Sequence, residues 1–294
     1  MRKNPFAKDV GILTEEEVLY VEQKVVETIR YQLQARKIFP VITPGEDAKF
    51  YRFYTETDPS EAVIDMDGKA QSDDFPDKTA HDLKWPVIHK EFLLNWRDIG
   101  LSRRQGPSIL DDSIRTATRM VAEVEDRLLI SGECTTWAAL GIEGLFTSTG
   151  RFNQAASGAW PANAVHDTND ARAHLQGHGF VGIEPVLIGP PGLIKCLDGA
   201  IANTGLTYRQ FLLDNNLVSS IIETPNAYAA DCGQDSVIYV IPGEGNFYAV
   251  QGVPLTVRLW EDKAANVHGT IRETISPVIP RPESVAEINT ITCA

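Results

Sequence analysis

Two histidines four residues apart, His174 and His178, are the nearest this sequence comes to a metal-binding pair. Zinc hydrolases place two such ligands on one helix face, with a glutamate beside the first as base. Here the segment reads HLQGH, with Gly177 inside it and no adjacent Glu, which describes a solvated helix end. The acid-rich stretch DMDGKAQSDD (Asp65 to Asp74) has the acids of a calcium loop without its register. An EF-hand needs ligands at fixed alternate positions, Gly at the sixth and Glu at the twelfth. GPPG (Gly189 to Gly192) and GEG (Gly243 to Gly245) lack a Walker lysine and a GxGxxG spacing, and read as turns. No GxSxG elbow occurs. Glu123, Glu125 and Asp126 crowd the end of a long helical pattern, where acids oppose the helix dipole. They could do acid/base work, but their position asks first for basic partners: Arg119 or Arg127 at helical spacing, or a group on another subunit. Cys134 has no base beside it and reads as a buried thiol. These residues assemble no constellation for catalysis, a metal or a cofactor. The expectation is a structural protein, not an enzyme, with no cofactor.

Composition narrows the class further. The 294 residues, 43% of them hydrophobic, suffice for one large domain or two modest ones. With 27 Lys+Arg against 40 Asp+Glu the formal charge is −13 and the pI near 4.9. Gripping nucleic acid by its phosphates needs clustered Lys/Arg, which an acidic chain does not supply. Cys134, Cys196, Cys232 and Cys293 are scattered with no CxxC pair, so free thiols in a reducing interior are expected. The opening MRKNPFAKDVG has no apolar signal region, and no apolar run approaches the ~18 residues of a membrane span. The expected location is the cytosol.

The elements that must position these residues follow from local patterns. Thr14 and Glu17 form a capping box, with Leu13 and Val18 as hydrophobic staple. Val18, Val25, Val26, Ile29 and Leu33 then repeat on one helical face, and Pro40 predicts a stop near Lys37. From Lys49 to Trp96, two β-prone runs flank a polar tip around Asp67-Gly68, the pattern of a long hairpin without a core of its own. Such a hairpin needs a surface to lie on. Ser108 and Asp111 open the longest helical pattern; Leu110, Ile114, Ala117, Val121, Val124 and Leu128 make its stripe and Gly132 its stop. Residues Arg151 to Pro242 alternate helix and strand, with Asp167 or Thr168 as a cap, and Asn246 to Ala294 is β throughout.

The stretch AEVEDRLLISG followed by GIEGL resembles encapsulin shell proteins, which share their fold with the major capsid proteins of tailed double-stranded DNA phages. The resemblance extends to ARKIFPVITP (Ala35 to Pro44), GNFYAVQGVPLTVRLWED and ETISPVIPRPESVAEI, and so covers almost the whole chain. It implies an α+β Hong Kong 97-like capsid fold, with an N-terminal arm helix, an extended E-loop hairpin, a peripheral domain with a long spine helix, and an α/β axial domain. The implied divisions are an arm (1–48), an E-loop (49–100), a peripheral domain with its spine (101–145), an axial domain (146–242) and returning peripheral strands (243–294).

Two functions follow from the resemblance. GVPLTV (Gly252 to Val257) lacks the encapsulin GQD acid and the E-loop is more acidic, which turns the reading towards the major capsid protein of a tailed virus. That protein would enclose DNA without binding its sequence, sit in the virion after assembly in a host cytoplasm, and meet scaffold, portal or decoration proteins. The alternative is an encapsulin whose arm helix forms part of a cargo groove. In both, the partner is the chain itself, in pentamers and hexamers of an icosahedral shell. The assembly residues would be Asp65, Asp67, Gly68, Lys69 and Trp85 on the E-loop. Glu125, Asp126, Arg127, Gly141, Ile142 and Gly144 would form the spine and its turn. Lys69 and Lys78 lie where some capsids of this fold carry a cross-linking lysine, but no partner is legible and no cross-link is expected.

Overall fold

A computed structural model of the chain describes residues 13–32, 34–45, 50–56, 64, 66, 77–105, 108–132, 140–182, 184–202, 204–224 and 235–293. Helix α1 (Glu15–Gln32) opens on the expected box: the Glu17 amide donates to Thr14 Oγ1 at 3.3 Å, and the Thr14 amide donates to Glu17 Oε2 at 2.8 Å. Leu13 and Val18 join one core with Val21 and Val25, whereas Val26, expected to face inward, is 45% exposed. The side chains of Ile29 and Leu33 lie outside the described residues. The helix ends earlier than Lys37, and a 3-10 turn covers Ala35–Lys37. The reason is a competing acceptor. The amides of Gln34 and Ala35 donate to the Asp126 carboxylate at 3.1 and 3.0 Å instead of continuing the helical ladder.

The longest helix is the spine, which spans Ser108–Ser131; α2 (Trp96–Gln105) precedes it, so the spine is α3. Ile114, Ala117, Val121, Leu128, Leu129 and Ile130 are buried, and Val124 is half-buried. The side chains of Ser108, Leu110 and Asp111 lie outside the described residues. Beneath the spine lies a four-stranded sheet. Its order is β1 (Val41–Ile42), β9 (Tyr248–Glu261), β10 (Val267–Val278) and β4 (Val87–Leu94). β2 (Phe50–Glu56) and β3 (Lys78–Lys84) pair only with each other, Phe50 opposite Lys84. The second β-prone run, expected as a single hairpin arm, is therefore two strands. It breaks at Trp85-Pro86, where Pro removes a ladder donor, and its second half joins the body as β4 against β10.

A second, five-stranded sheet has the order β5 (Phe152–Ala155), β11 (Val285–Asn289), β8 (Val237–Val240), β6 (Val186–Gly189) and β7 (Ser220–Glu223). It carries α4 (Ala164–Gly177), α5 (Pro191–Ile194) and α6 (Tyr208–Asp214). β6 and β8 are buried at every residue, as strands covered on both faces must be. Their alternation feeds two cores. Val186, Ile188, Ile238 and Val240 face the spine's cluster, while Leu187, Val237 and Tyr239 face a second one built with Trp160, Leu175 and Leu212.

Two expectations fail in this second unit. Asp167 and Thr168 do not cap α4, which begins after Asn163. Asp167 is instead buried inside it and accepts from the Ser157 amide (3.0 Å), Ser157 Oγ (2.6 Å) and Trp160 Nε1 (2.8 Å). Cys196 and Cys293, expected as free thiols, form a disulfide with Cα atoms 5.9 Å apart. β11 carries the chain back past α5, which brings together two thiols 97 residues apart that no spacing rule relates. Cys134 and Cys232 lie outside the described residues.

Candidate functional site

The residues singled out on the spine converge at its two neighbours, the arm and the following turn. At the C-terminal end, Gly132 adopts φ +63 and stops α3, its amide donating to Leu128 O at 3.0 Å. The chain then returns beside the helix. The amides of Leu145 and Phe146 donate to the carbonyls of Leu129 and Ile130 at 3.4 and 2.9 Å. Thr147 Oγ1 accepts from the Gly144 amide at 2.8 Å and lies 3.2 Å from Ser131 O. A Cβ on Gly132 would stand 2.1 Å from Gly144 N, and one on Gly144 would stand 2.3 Å from Gly132 N. The two backbones therefore cross in direct contact, which only glycine at both positions permits. Ile142 is buried beneath the crossing, and Gly141 turns the chain into it at φ +65. Arg127 is half-buried on the spine.

About two turns before Gly132, the acids meet their partners. Glu123 pairs with Arg119 at 3.5 Å, one of the basic residues the spacing suggested. Glu125 does not. Its carboxylate is fully buried and accepts from Arg36 Nε at 2.6 Å, while Arg36 Nη2 binds Glu273 on β10. Gln251 on β9 donates to the same Glu273 oxygen at 2.5 Å. Asp126, beside Glu125, holds the Gln34 and Ala35 amides. The spine thus fastens the arm by a buried polar cluster that spans four elements. Sequence reasoning missed Arg36 and Glu273, because helical spacing says nothing of partners 89 and 148 residues away. A Glu at the β9–β10 bulge, beside Pro254, is the one local signal.

Among the E-loop residues, Asp65, Asp67, Gly68 and Lys69 lie outside the described residues. Trp85 is not on an exposed arm. It is buried at the hairpin root, donates Nε1–H to Val250 O at 3.1 Å, and lies 3.2–3.3 Å from where a Gly252 side chain would start. Tyr51, Phe53 and Leu83 pack towards this anchor. Farther out, Arg52 grips Asp82 with two bonds of 2.6 and 2.8 Å, and Phe50 and Tyr54 are 60% and 56% exposed. The hairpin is anchored at one end and presents apolar surface along its length.

A cleft of about 690 Å³ opens between Phe53, His81 and Leu83 of the hairpin, Glu143 of the turn, and His178 and Arg281 of the body. His174 and His178 do sit together, with ring centres 4.7 Å apart, but His174 stacks on Phe152 at 3.7 Å. Burial and the neighbouring His178 lower the His174 pKa. Among the described residues no group of three or more His, Cys, Asp or Glu is placed to hold a metal ion, and no helix is long and apolar enough to cross a membrane. What the arrangement offers is mechanical: a stiff spine, a fastened arm, a locked turn and a projecting hairpin.

Comparison with known proteins places this geometry. The family described as "Encapsulating protein for peroxidase" matches residues 5–276. The type 1 encapsulin shell protein EncA of Myxococcus xanthus is 25% identical over 232 residues, covering 76% of this chain and 79% of the relative. Among solved structures, the virus-like particle from Pyrococcus furiosus superposes with a TM-score of 0.70 at 15% identity, covering 94% of this chain and 100% of that one. The capsid of Myoviridae phage XM1 gives 0.66 at 10% identity, covering 85% and 88%. At these identities the two structures speak to the fold.

Proposed function

The chain belongs to the family of encapsulating proteins for peroxidase, and from that premise we propose that it is the shell subunit of a closed protein compartment holding cargo enzymes, a peroxidase among the candidates. Its fold is the Hong Kong 97-like capsid fold. The observation that carries the reading is the family match over residues 5–276, which takes in the arm, hairpin and spine with four of the five strands of the second sheet.

The physical features support it. A hairpin rooted by Trp85 with Phe50 and Tyr54 exposed suits a surface on a neighbouring copy. A contact of that kind, repeated head to tail between identical subunits, closes into rings and then a shell, and many modest contacts add up through multivalency. The charge of −13 per subunit favours protein contents over nucleic acid captured by attraction. The reading as a tailed-virus major capsid protein, with DNA inside and scaffold or portal partners, has fold likeness at 10% identity behind it. The family match favours the compartment.

Cargo would dock on the outer stripe of α1. Leu19 and Val26 are 50% and 45% exposed and lie two helical turns apart on one face. Covering such side chains is worth about 1.5–3 kcal/mol each. The double substitution Leu19→Asp and Val26→Asp is therefore expected to leave particle size unchanged and to lower co-purifying cargo at least about tenfold. Light scattering and quantitative mass spectrometry on the same particles check this. Undiminished cargo would move the docking surface elsewhere.

A further inference from the structure

We propose that Glu125 and Glu273 share one proton, and that this buried acid–carboxylate pair is a latch that holds the N-terminal segment on the spine and opens when the proton leaves. The cluster contains two carboxyl groups and one guanidinium. Arg36 reaches one oxygen of each acid, and Gln251 donates to the Glu273 oxygen already bound by Arg36. The remaining oxygens, Oε2 of Glu125 and Oε2 of Glu273, are buried without a donor. Two buried acceptors that face no donor are costly. The one guanidinium that bridges the two carboxyl groups holds them side by side. A proton on Glu125, shared with Glu273, supplies the donor that the cluster lacks and brings it to net neutrality. Nothing else within the cluster can do so: every proton of Gln251 and Arg36 aimed at the acids already points at the Oε1 atoms.

The surroundings leave the proton without a substitute. Besides Arg36 from the 3-10 turn and Glu273 from β10, β9 contributes neutral Gln251. On α3 itself, Asp126 is occupied by the Gln34 and Ala35 amides. α1, α2 and β4 give apolar Val21, Val25, Ile99, Ile88 and Phe92 to the core beside the spine, while His89, Lys90 and Glu91 of β4 are exposed. Burial, reinforced by the Glu273 charge and opposed by Arg36, pushes the Glu125 pKa up to about 8. The folded value lies above the ordinary 4.5. The proton's contribution to stability is therefore complete below that ordinary value and is lost as pH rises through about 8. Above it, two carboxylates confront one guanidinium out of water. The element that this pair holds through Arg36, whose side chain is 29% exposed, is the short 3-10 turn.

Hydrogen exchange on the assembled protein tests this, with rates corrected for the intrinsic effect of pH. The Ala35 and Phe39 amides, which donate to Asp126 and to Ala35 O, are expected to lose protection about tenfold between roughly pH 7 and 9, the linkage of one proton that titrates near the middle of that interval. The Ile188 amide in the second sheet should not change. Glu125→Gln cannot ionise, so its Ala35 and Phe39 protection should stay flat across that interval. Should the variant fail to fold, the carboxylic-acid carbonyl stretch of Glu125 in isotope-edited infrared spectra of the unmodified protein serves instead, present at neutral pH and titrating near pH 8. Flat protection in the unmodified protein, an unchanged midpoint in Glu125→Gln, or an ionised Glu125 at neutral pH would each overturn the latch.

Discussion

Replacing Arg36 with Met is expected to destabilise the protein by about 3–5 kcal/mol, the usual consequence of leaving a buried charge without its partner. Arg36 is the guanidinium that joins Glu125 of the spine to Glu273 of β10, and both acids are fully buried. Shortening the side chain to a thioether of similar bulk keeps the packing and removes the forked donor. The charge left on the proton-sharing pair then has no cation opposite it, and Gln251 is the remaining donor to Glu273. Thermal unfolding should shift down by roughly ten degrees, and the arm should lose protection before the spine does. Arg36→Lys should fall between, because an ammonium cannot span two carboxylates with a planar fork. Adding Glu273→Gln to Arg36→Met should recover part of the loss, since it removes the stranded charge. Calorimetry of the unmodified protein, Arg36→Met, Glu273→Gln and the double variant measures that coupling directly, and additive losses would mean the cluster does not act as a unit.

Gly132→Ala is expected to be the more damaging change, preventing soluble folding or assembly. Its Cβ would stand 2.1 Å from the Gly144 nitrogen and 2.4 Å from Thr147 Oγ1, on a residue already at φ +63. The left-handed conformation costs a non-glycine residue about 1–2 kcal/mol. The clash adds far more, because the opposing atom is backbone and has no rotamer to retreat into. Gly144→Ala should fail the same way from the other side of the crossing, at 2.3 Å. Gly177→Ala is the control. It lies in α4 with nothing within 4 Å of the added carbon, and should be neutral or stabilise by up to about 1 kcal/mol. Yield of soluble particles and their melting temperature separate the three. Normal shells from Gly132→Ala would show that the crossing is looser than its geometry.

These two sites mark where sequence was legible and where it was not. The spine, its glycine stop and the Thr14–Glu17 box depend on neighbours three or four residues apart, and local spacing carries that information. The motif ending in GIEGL could be recognised, but its reason could not. Gly132 and Gly144 matter because the chain doubles back on itself, which appears only in three dimensions. Arg36 carries no local sign of its role, because its partners lie 89 and 237 residues away. Gly252 and Pro254 both stand inside β9. In the structure they fall at register shifts opposite β10, where a missing donor is tolerated and the ribbon continues. Trp85 read as part of an assembly arm because it sits in a β-prone run. Its burial against Tyr248, Val250 and Val278 makes it the root that holds the arm out.

Whether this chain closes into a shell around protein cargo is decided on particles purified from the native source. Electron microscopy of those particles should be joined to mass spectrometry of their contents and to quantification of nuclease-protected nucleic acid in the same sample. Icosahedral shells that contain an enzyme, with peroxidases first among the candidates, and no protected double-stranded DNA are expected. Shells filled with protected DNA would make the chain a virion capsid protein, and an absence of shells would rule out both a compartment and a capsid.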